Sequence, residues 1–137
     1  KSAAGNGNIT AGAGGVTVGG TLSNYNGLTI TSGNLTVSSG ASSNAGTIST
    51  VTAGTQSYTG AFTNSGTITG VGTVDFSTSL TNSGTLNMGA GTVSVVGALD
   101  GTGGTIDFNG VGVGTLVLSD DLSLTAGSTL SNANPQI

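Results

Sequence analysis

Apolar side chains recur at every second position along much of the chain, separated mostly by Thr, Ser, Asn or Asp. Leu35 and Val37 form one such pair, and Val74 and Phe76 form another around Asp75. A period of two places both apolar side chains on one face of a β-strand and the polar one on the opposite face. No stretch follows the 3.6-residue period of an amphipathic helix. The pattern therefore predicts an all-β chain in which Asp75 points outward.

A short phrase, Asn-x-Gly-Thr followed by Ile or Leu, occurs three times, within the segments 43–48, 63–68 and 81–86. Recurrence at roughly 20 residues, with two or three strands per repeat, is typical of a β-solenoid in which each repeat is one coil. We therefore predict a parallel β-solenoid of about six coils of 18–20 residues over residues 16–130. A pilin-like β-sandwich is the alternative, because closely spaced short strands suit it too.

The two flanking segments differ from the repeats. Residues 1–15 form an N-terminal arm rich in Gly and Ala, and residues 131–137 form a C-terminal tail. The beginning of the arm lacks the apolar core of a signal peptide, which fits a mature N-terminus left by processing. We expect the arm to be a candidate strand donor to a neighbouring subunit.

The amino-acid composition excludes several classes of function. Gly, Thr, Ser and Asn supply more than half of the 137 residues, while the chain has no His or Cys, one Lys and five Asp. Most side chains used for proton transfer, nucleophilic attack or metal ligation are missing, so we expect no enzyme activity, cofactor or metal. A single cation leaves no basic surface for nucleic acid. No apolar run approaches the roughly 20 residues that span a bilayer, so we expect no membrane insertion.

The Gly and Asn residues of the phrase have a structural explanation. Coil corners need residues that tolerate left-handed backbone angles, which Gly adopts freely and Asn at modest cost. Asn44, Asn64 and Asn82 occupy the same place in successive phrases. Stacked coils are therefore predicted to align these three side chains into a corner ladder of hydrogen bonds.

The segment Leu80-Thr81-Asn82-Ser83-Gly84-Thr85-Leu86-Asn87-Met88, continuing through Gly91-Thr92-Val93-Ser94-Val95, resembles a known family. It is similar to the repeats of filamentous haemagglutinin and other β-helical bacterial adhesins secreted by two-partner or autotransporter routes. The resemblance covers about residues 20–130 and implies a right-handed parallel β-helix, secreted and displayed at the cell surface. The chain departs from the family in its short length and in showing neither the N-terminal secretion module nor a translocator barrel.

The ends of the predicted solenoid suggest its function. Free monomeric solenoids cover their end coils with capping elements or charged edge residues, and neither is evident in this sequence. An uncapped solenoid is expected to stack head to tail on further copies of itself, which produces a filament if the contact does not close. The candidate assembly residues near the two ends are Lys1, Ile9, Val16, Val18, Leu130 and Ile137.

We therefore expect an extracellular structural subunit that self-assembles into a filament with an adhesion, matrix or surface-layer role. The partners would be further copies, with a ligand on a host or neighbouring cell as a second partner. One alternative is a repeat segment of a larger β-helical adhesin. A third is an ice-binding solenoid, suggested by the Thr-x-Thr steps at residues 29–31, 50–52 and 67–69.

Overall fold

The computed structural model describes residues 9–108 and 114–131, which form nineteen short β-strands and no helix. In chain order the strands are β1 (Ile9–Ala11), β2 (Val16–Val18), β3 (Ser23–Asn24), β4 (Gly27–Ile30), β5 (Leu35–Val37), β6 (Ser42–Asn44), β7 (Thr47–Thr50), β8 (Thr55–Tyr58), β9 (Phe62–Asn64), β10 (Thr67–Thr69), β11 (Thr73–Phe76), β12 (Leu80–Asn82), β13 (Thr85–Asn87), β14 (Thr92–Val95), β15 (Leu99–Gly101), β16 (Thr105–Asp107), β17 (Thr115–Leu118), β18 (Leu122–Leu124) and β19 (Thr129–Ser131).

Every third strand joins the same sheet. Face A has the order β1-β4-β7-β10-β13-β16-β19, face B has β2-β5-β8-β11-β14-β17, and face C has β3-β6-β9-β12-β15-β18. All pairings between the described strands are parallel. The chain is therefore a parallel β-solenoid of about six turns with three faces, and this prediction is confirmed. The β-sandwich alternative is wrong, because such folds are built from antiparallel strands.

The coil length is regular until the last turn. On face A, the residues that stack on one another at nearly equal steps are Ile9, Leu28, Ile48, Ile68, Leu86 and Ile106. The last step is longer, because Asp107 and its partner Ser131 are separated by 24 positions. The predicted coil length is therefore wrong for the last coil. Most of its extra residues lie between β16 and β17, which are separated by seven residues, whereas three or four separate the equivalent strands of earlier coils. β17 nevertheless pairs with β14 in the regular register.

The first coil begins earlier in the sequence than the predicted repeat region. β1 lies inside residues 1–15, the segment predicted as an arm, and it pairs in parallel with β4. Of the predicted tail, Ser131 ends β19 and residues 132–137 lie outside the described part of the chain. The described solenoid thus runs from β1 to β19.

The interior is a continuous apolar column. Side chains at alternate strand positions point inward, so that Val74 and Phe76 are fully buried while Asp75 between them is only partly buried. Three rings meet at the centre: the Tyr58 and Phe62 centroids are 4.2 Å apart, and those of Tyr58 and Phe76 are 5.2 Å apart and stacked. Such aromatic pairs add to the stabilisation that burial itself provides.

The corner between faces C and A brings successive coils into close backbone contact. Amides of each coil donate to carbonyls of the preceding coil, as from Gly66 N to Asn44 O at 3.0 Å and from Gly84 N to Asn64 O at 3.0 Å. A Cβ on Gly66 would lie 2.7 Å from the carbonyl carbon of Ala45, nearer than real Cβ atoms approach. This close approach explains the Gly of the three phrases, at positions 46, 66 and 84. The prediction that left-handed backbone angles require the Gly and Asn of the phrase is wrong, because none of these glycines and no described Asn has a positive φ.

Candidate assembly ends and the asparagine ladder

The structure aligns the three predicted ladder residues in one buried column on face C. Nδ2 of Asn44 donates to Oδ1 of Asn64 at 2.9 Å, and Nδ2 of Asn64 donates to Oδ1 of Asn82 at 2.8 Å. All three side chains have 0% exposure. A buried amide lowers the stability of the fold unless it is hydrogen-bonded, and these amides pair only when the coils stack in this register. The ladder therefore stabilises this register of the coils.

Each ladder amide also binds the backbone of the next corner. Nδ2 of Asn44 donates to the carbonyl of Thr67 at 3.0 Å, and Nδ2 of Asn82 donates to that of Thr105 at 3.2 Å. The side chains therefore join faces C and A as well as successive coils. All buried side-chain nitrogen and oxygen atoms within residues 9–108 and 114–131 have a hydrogen-bond partner.

The ladder begins one coil earlier than predicted. Asn24, which is 4% exposed, donates from Nδ2 to Oδ1 of Asn44 at 2.7 Å. Asn24 was not predicted as a ladder residue, because Asn26 stands where the repeated phrase has Gly. The spacing of Leu22 and Leu28 nevertheless matches that of the later repeats. The signal that identifies Asn24 is its position one coil length before Asn44.

The two ends of the ladder differ chemically. All hydrogen bonds of the Asn24 side chain in the described part of the chain are donated by Nδ2, so its Oδ1 accepts none. At the other end, Gly101 follows Asn82 in the column and pairs with Leu124 of the last coil. The ladder thus has a direction: each Nδ2 donates towards the C-terminal coil, no described residue donates to Asn24 Oδ1, and an apolar residue occupies the column on the C-terminal coil.

The N-terminal end presents the edges of β1, β2 and β3. Ile9 is 46% exposed, and Val16 and Val18 are partly buried, although the corresponding residues of the next coil are buried. These three predicted assembly residues therefore lie together on the first coil. Lys1, predicted with them, lies outside the described residues.

The C-terminal end presents the edges of β17, β18 and β19. Leu130, the predicted assembly residue here, is 47% exposed, and the sequence reading missed Leu122 and Leu124, which are 43% and 46% exposed. Their alternation with Ser123 was the available signal, since it marks them as inward-facing residues of a strand near the end of the repeat region. Ile137 lies outside the described residues.

Charged groups are sparse and separated along the described chain. Asp120 and Asp121 occupy the corner between β17 and β18, where the Oδ1 atom of Asp120 accepts a hydrogen bond from the amide of Asp121 at 2.9 Å. Residues 9–108 and 114–131 contain no cluster of three or more acidic, His or Cys side chains able to hold a metal ion. No pocket is found in this part of the structure.

The three Thr-x-Thr steps do not form a single surface. Thr67 and Thr69 both lie on the outer side of face A, whereas Thr50 is buried at an inward position opposite Ile30. A different column emerges from the register, because five threonines follow one another on face A, namely Thr47, Thr67, Thr85, Thr105 and Thr129. Ice binding stays a prediction, and this column is the surface on which it would act.

A buried polar cluster was not foreseen from the sequence. The phenol of Tyr58 donates to Oε1 of Gln56 at 3.0 Å, and Nε2 of Gln56 donates to Oγ1 of Thr50 at 3.2 Å. Gln56 stands at the inward position occupied by Leu35 and Val74 in adjacent coils. Only the coil register, and not the local sequence, shows that these groups face the core.

Burial raises the pKa of the Tyr58 phenol well above its usual value of 10.0. Below pH 10 both the folded and the unfolded chain keep this proton; above pH 10 only the unfolded chain loses it readily. The free energy of unfolding is therefore expected to be insensitive to Tyr58 below about pH 10 and to fall as pH rises further. Chemical denaturation between pH 8 and pH 11 measures this dependence.

Tyr58→Phe is the matched variant for that titration. At neutral pH we expect it to lose about 1–3 kcal/mol, because Oε1 of Gln56 is left buried without its donor. Above pH 10 the variant should lose less stability with each pH step than the unchanged protein does. Equal slopes for the two proteins would contradict the assignment of Tyr58 as the responsible group.

The comparisons with known proteins identify no relative: no protein-family model matches the chain, and neither does any curated protein or solved structure. Within residues 9–108 and 114–131 there is no helix of the length and hydrophobicity that a bilayer span requires.

Proposed function

We propose that the chain is a structural subunit of an extracellular filament, assembled head to tail by β-edge pairing between copies. In this proposal the partner is the chain itself, and the filament serves in adhesion, a matrix or a surface layer. The chain acts without catalysis, cofactor or metal, and it neither binds nucleic acid nor inserts into a membrane. Secretion to the cell surface and a ligand on a host or neighbouring cell belong to the same proposal.

One observation carries the proposal: all six strands at the two ends of the solenoid lack charged residues. β1, β2 and β3 read Ile-Thr-Ala, Val-Thr-Val and Ser-Asn, while β17, β18 and β19 read Thr-Leu-Val-Leu, Leu-Ser-Leu and Thr-Leu-Ser. Soluble β-proteins generally protect edge strands with charges, prolines, bulges or a covering element. Strands without charge or proline favour pairing with another chain.

Exposed apolar surface at both ends supports the same conclusion. Ile9 at one end and Leu122, Leu124 and Leu130 at the other are each between 43% and 47% exposed. Complete burial of such side chains contributes roughly 1.5–3 kcal/mol each, so covering the exposed part contributes on the order of 1 kcal/mol per residue. New backbone hydrogen bonds along the three faces add to this contribution.

Electron microscopy of the purified chain tests the proposal. We expect unbranched filaments far longer than one molecule, whose six coils span about 30 Å at the strand spacing of roughly 4.8 Å. Leu130→Asp should abolish assembly, because it places a charge on the exposed end. Val71→Asp is the matched control, since Val71 is 55% exposed at a corner away from both ends. Monodisperse short rods from the unchanged protein would refute the filament.

A repeat segment of a larger adhesin is the second candidate. It is favoured by Oδ1 of Asn24, which accepts no hydrogen bond from residues 9–108 or 114–131, because a preceding coil of a longer polypeptide with Asn at this position would extend the ladder. In that case the outward Thr, Ser and Asn columns would carry the receptor-binding surface. Short rods in the microscopy experiment are the result expected for this candidate.

A further inference from the structure

The two ends of the solenoid are offset by one strand. Within the described residues, face A contains seven strands, whereas faces B and C contain six each. The N-terminal end is therefore formed by β1, β2 and β3 on faces A, B and C, while the C-terminal end is formed by β17, β18 and β19 on faces B, C and A. This offset determines how two copies can join, given the head-to-tail assembly proposed above.

A joint that keeps each face aligned cannot pair all three edges. With each coil of three strands the chain rises by one strand spacing along the solenoid axis. β19 therefore lies one third of a strand spacing higher than β18 and two thirds of a spacing higher than β17. If β1 of a second copy pairs with β19, then β2 and β3 of that copy lie two spacings above β17 and β18. A one-strand gap remains on two faces, and moving the copy closer makes β1 collide with β19.

We infer that successive copies are rotated by one face, so that β1, β2 and β3 of one copy pair with β17, β18 and β19 of the preceding copy. Each of the three strands then lies one spacing above its partner, and the spiral continues without a gap. The described part of each copy contributes nineteen strands, which gives a rise of about 30 Å per copy at the usual strand spacing. Three copies complete one rotation of the faces.

The inward side chains of the two ends match in this arrangement. Ile9 of β1 lies over the leucines of β17, and Val16 and Val18 of β2 lie over Leu122 and Leu124 of β18. The corners also have similar lengths: four residues follow both β1 and β2, while three follow β17 and four follow β18. Apolar residues therefore cover apolar residues on two of the three faces.

The third face shows a further match. Leu22 and Ser23 at the start of β3 correspond to Leu130 and Ser131 at the end of β19. In the rotated joint Leu22 lies over Leu130 and Ser23 lies over Ser131. Leu22 packs against the core and Leu130 stands in an inward column of face A, so an apolar residue covers an apolar residue on this face too.

Cysteine cross-linking distinguishes the two joints, because the protein has no native cysteine. Ser23 and Ser131 become neighbours in the rotated joint. In the aligned joint β1 pairs with β19 instead, which makes Thr10 the neighbour of Ser131, because both belong to the same outward column of face A. Strand partners about 4.8 Å apart fall within the Cα separations that disulfides bridge. Ser23→Cys combined with Ser43→Cys is the positive control, since these residues are partners within one copy.

The experiment mixes equal amounts of Ser131→Cys protein and Ser23→Cys protein, or of Ser131→Cys protein and Thr10→Cys protein, under oxidation, followed by non-reducing electrophoresis. We expect about half of the first mixture to shift from monomer to dimer, because in random assembly half of the Ser23→Cys copies stand on a Ser131→Cys copy, and the second mixture to remain monomeric. Filaments that cross-link through Thr10, or through neither position, would overturn the rotated joint while leaving head-to-tail assembly intact. Absence of filaments would overturn the assembly itself, and the joint with it.

Discussion

Gly66→Ala is expected to lower the free energy of unfolding by about 3 kcal/mol or more. The added Cβ would meet the carbonyl oxygen of Gly46 and would lie 2.7 Å from the carbonyl carbon of Ala45. Both atoms belong to the backbone of the preceding coil, so no side-chain rotation relieves the contact. The coils would have to separate at this corner, where Gly66 N binds Asn44 O. Chemical denaturation followed by circular dichroism measures the loss.

Gly20→Ala provides the matched control for this prediction. A Cβ on Gly20 meets no atom within 4 Å. Its replacement should therefore change the free energy of unfolding by no more than about 0.5 kcal/mol. Similar losses for the two variants would show that backbone contact between coils is not what requires glycine at position 66.

Asn64→Leu is expected to cost about 3–5 kcal/mol of stability although leucine has a similar volume. Asn64 lies in the middle of the ladder, where its Nδ2 donates to Oδ1 of Asn82 and to the carbonyl of Thr85. Its removal leaves both acceptors buried without this donor, and each unsatisfied group costs roughly 1–3 kcal/mol. Asn44 also loses its acceptor on the next coil. Denaturant midpoints and slopes measure the effect.

Thr63→Ala is the control for the ladder, because Thr63 neighbours Asn64 on the same strand but points outward and is exposed. We expect its effect to stay within about 0.5 kcal/mol. If Asn64→Leu were as well tolerated as Thr63→Ala, the ladder would not contribute to the register of the coils.

Much of the architecture could be predicted because the sequence repeats its corners. Since the Asn-x-Gly-Thr phrase returns at nearly equal intervals, each phrase is expected to stack on the last, which implies parallel strands. The longer last coil was not predictable in this way, since the residues between β16 and β17 carry no phrase. Insertions at corners change the coil length without disturbing the inward pattern that the sequence reveals.

The polar interior was harder to predict for a physical reason. Gln56 and Tyr58 alternate with Thr55 and Ser57, so the local sequence shows no contrast between an apolar and a polar face. Their inward orientation follows from pairing with neighbouring coils, where Val74 and Phe76 occupy the same positions. Local pattern alone is therefore insufficient wherever a solenoid buries hydrogen-bonded polar groups.

At the ends of the solenoid, the residues could be predicted from the sequence but their arrangement could not. Ile9, Val16, Val18 and Leu130 were predicted from their positions near the two ends of the repeat region, and the structure places them on the first and last coils. The offset between the ends follows from the number of strands on each face and not from residue type.

Cryo-electron microscopy with helical reconstruction tests most directly the central claim, that uncharged end coils pair edge to edge between copies. We expect β-strands perpendicular to the filament axis, about 4.8 Å apart, with that spacing continuing across every joint between copies. Strands running along the axis, or joints at which the β-sheets are interrupted, would contradict it.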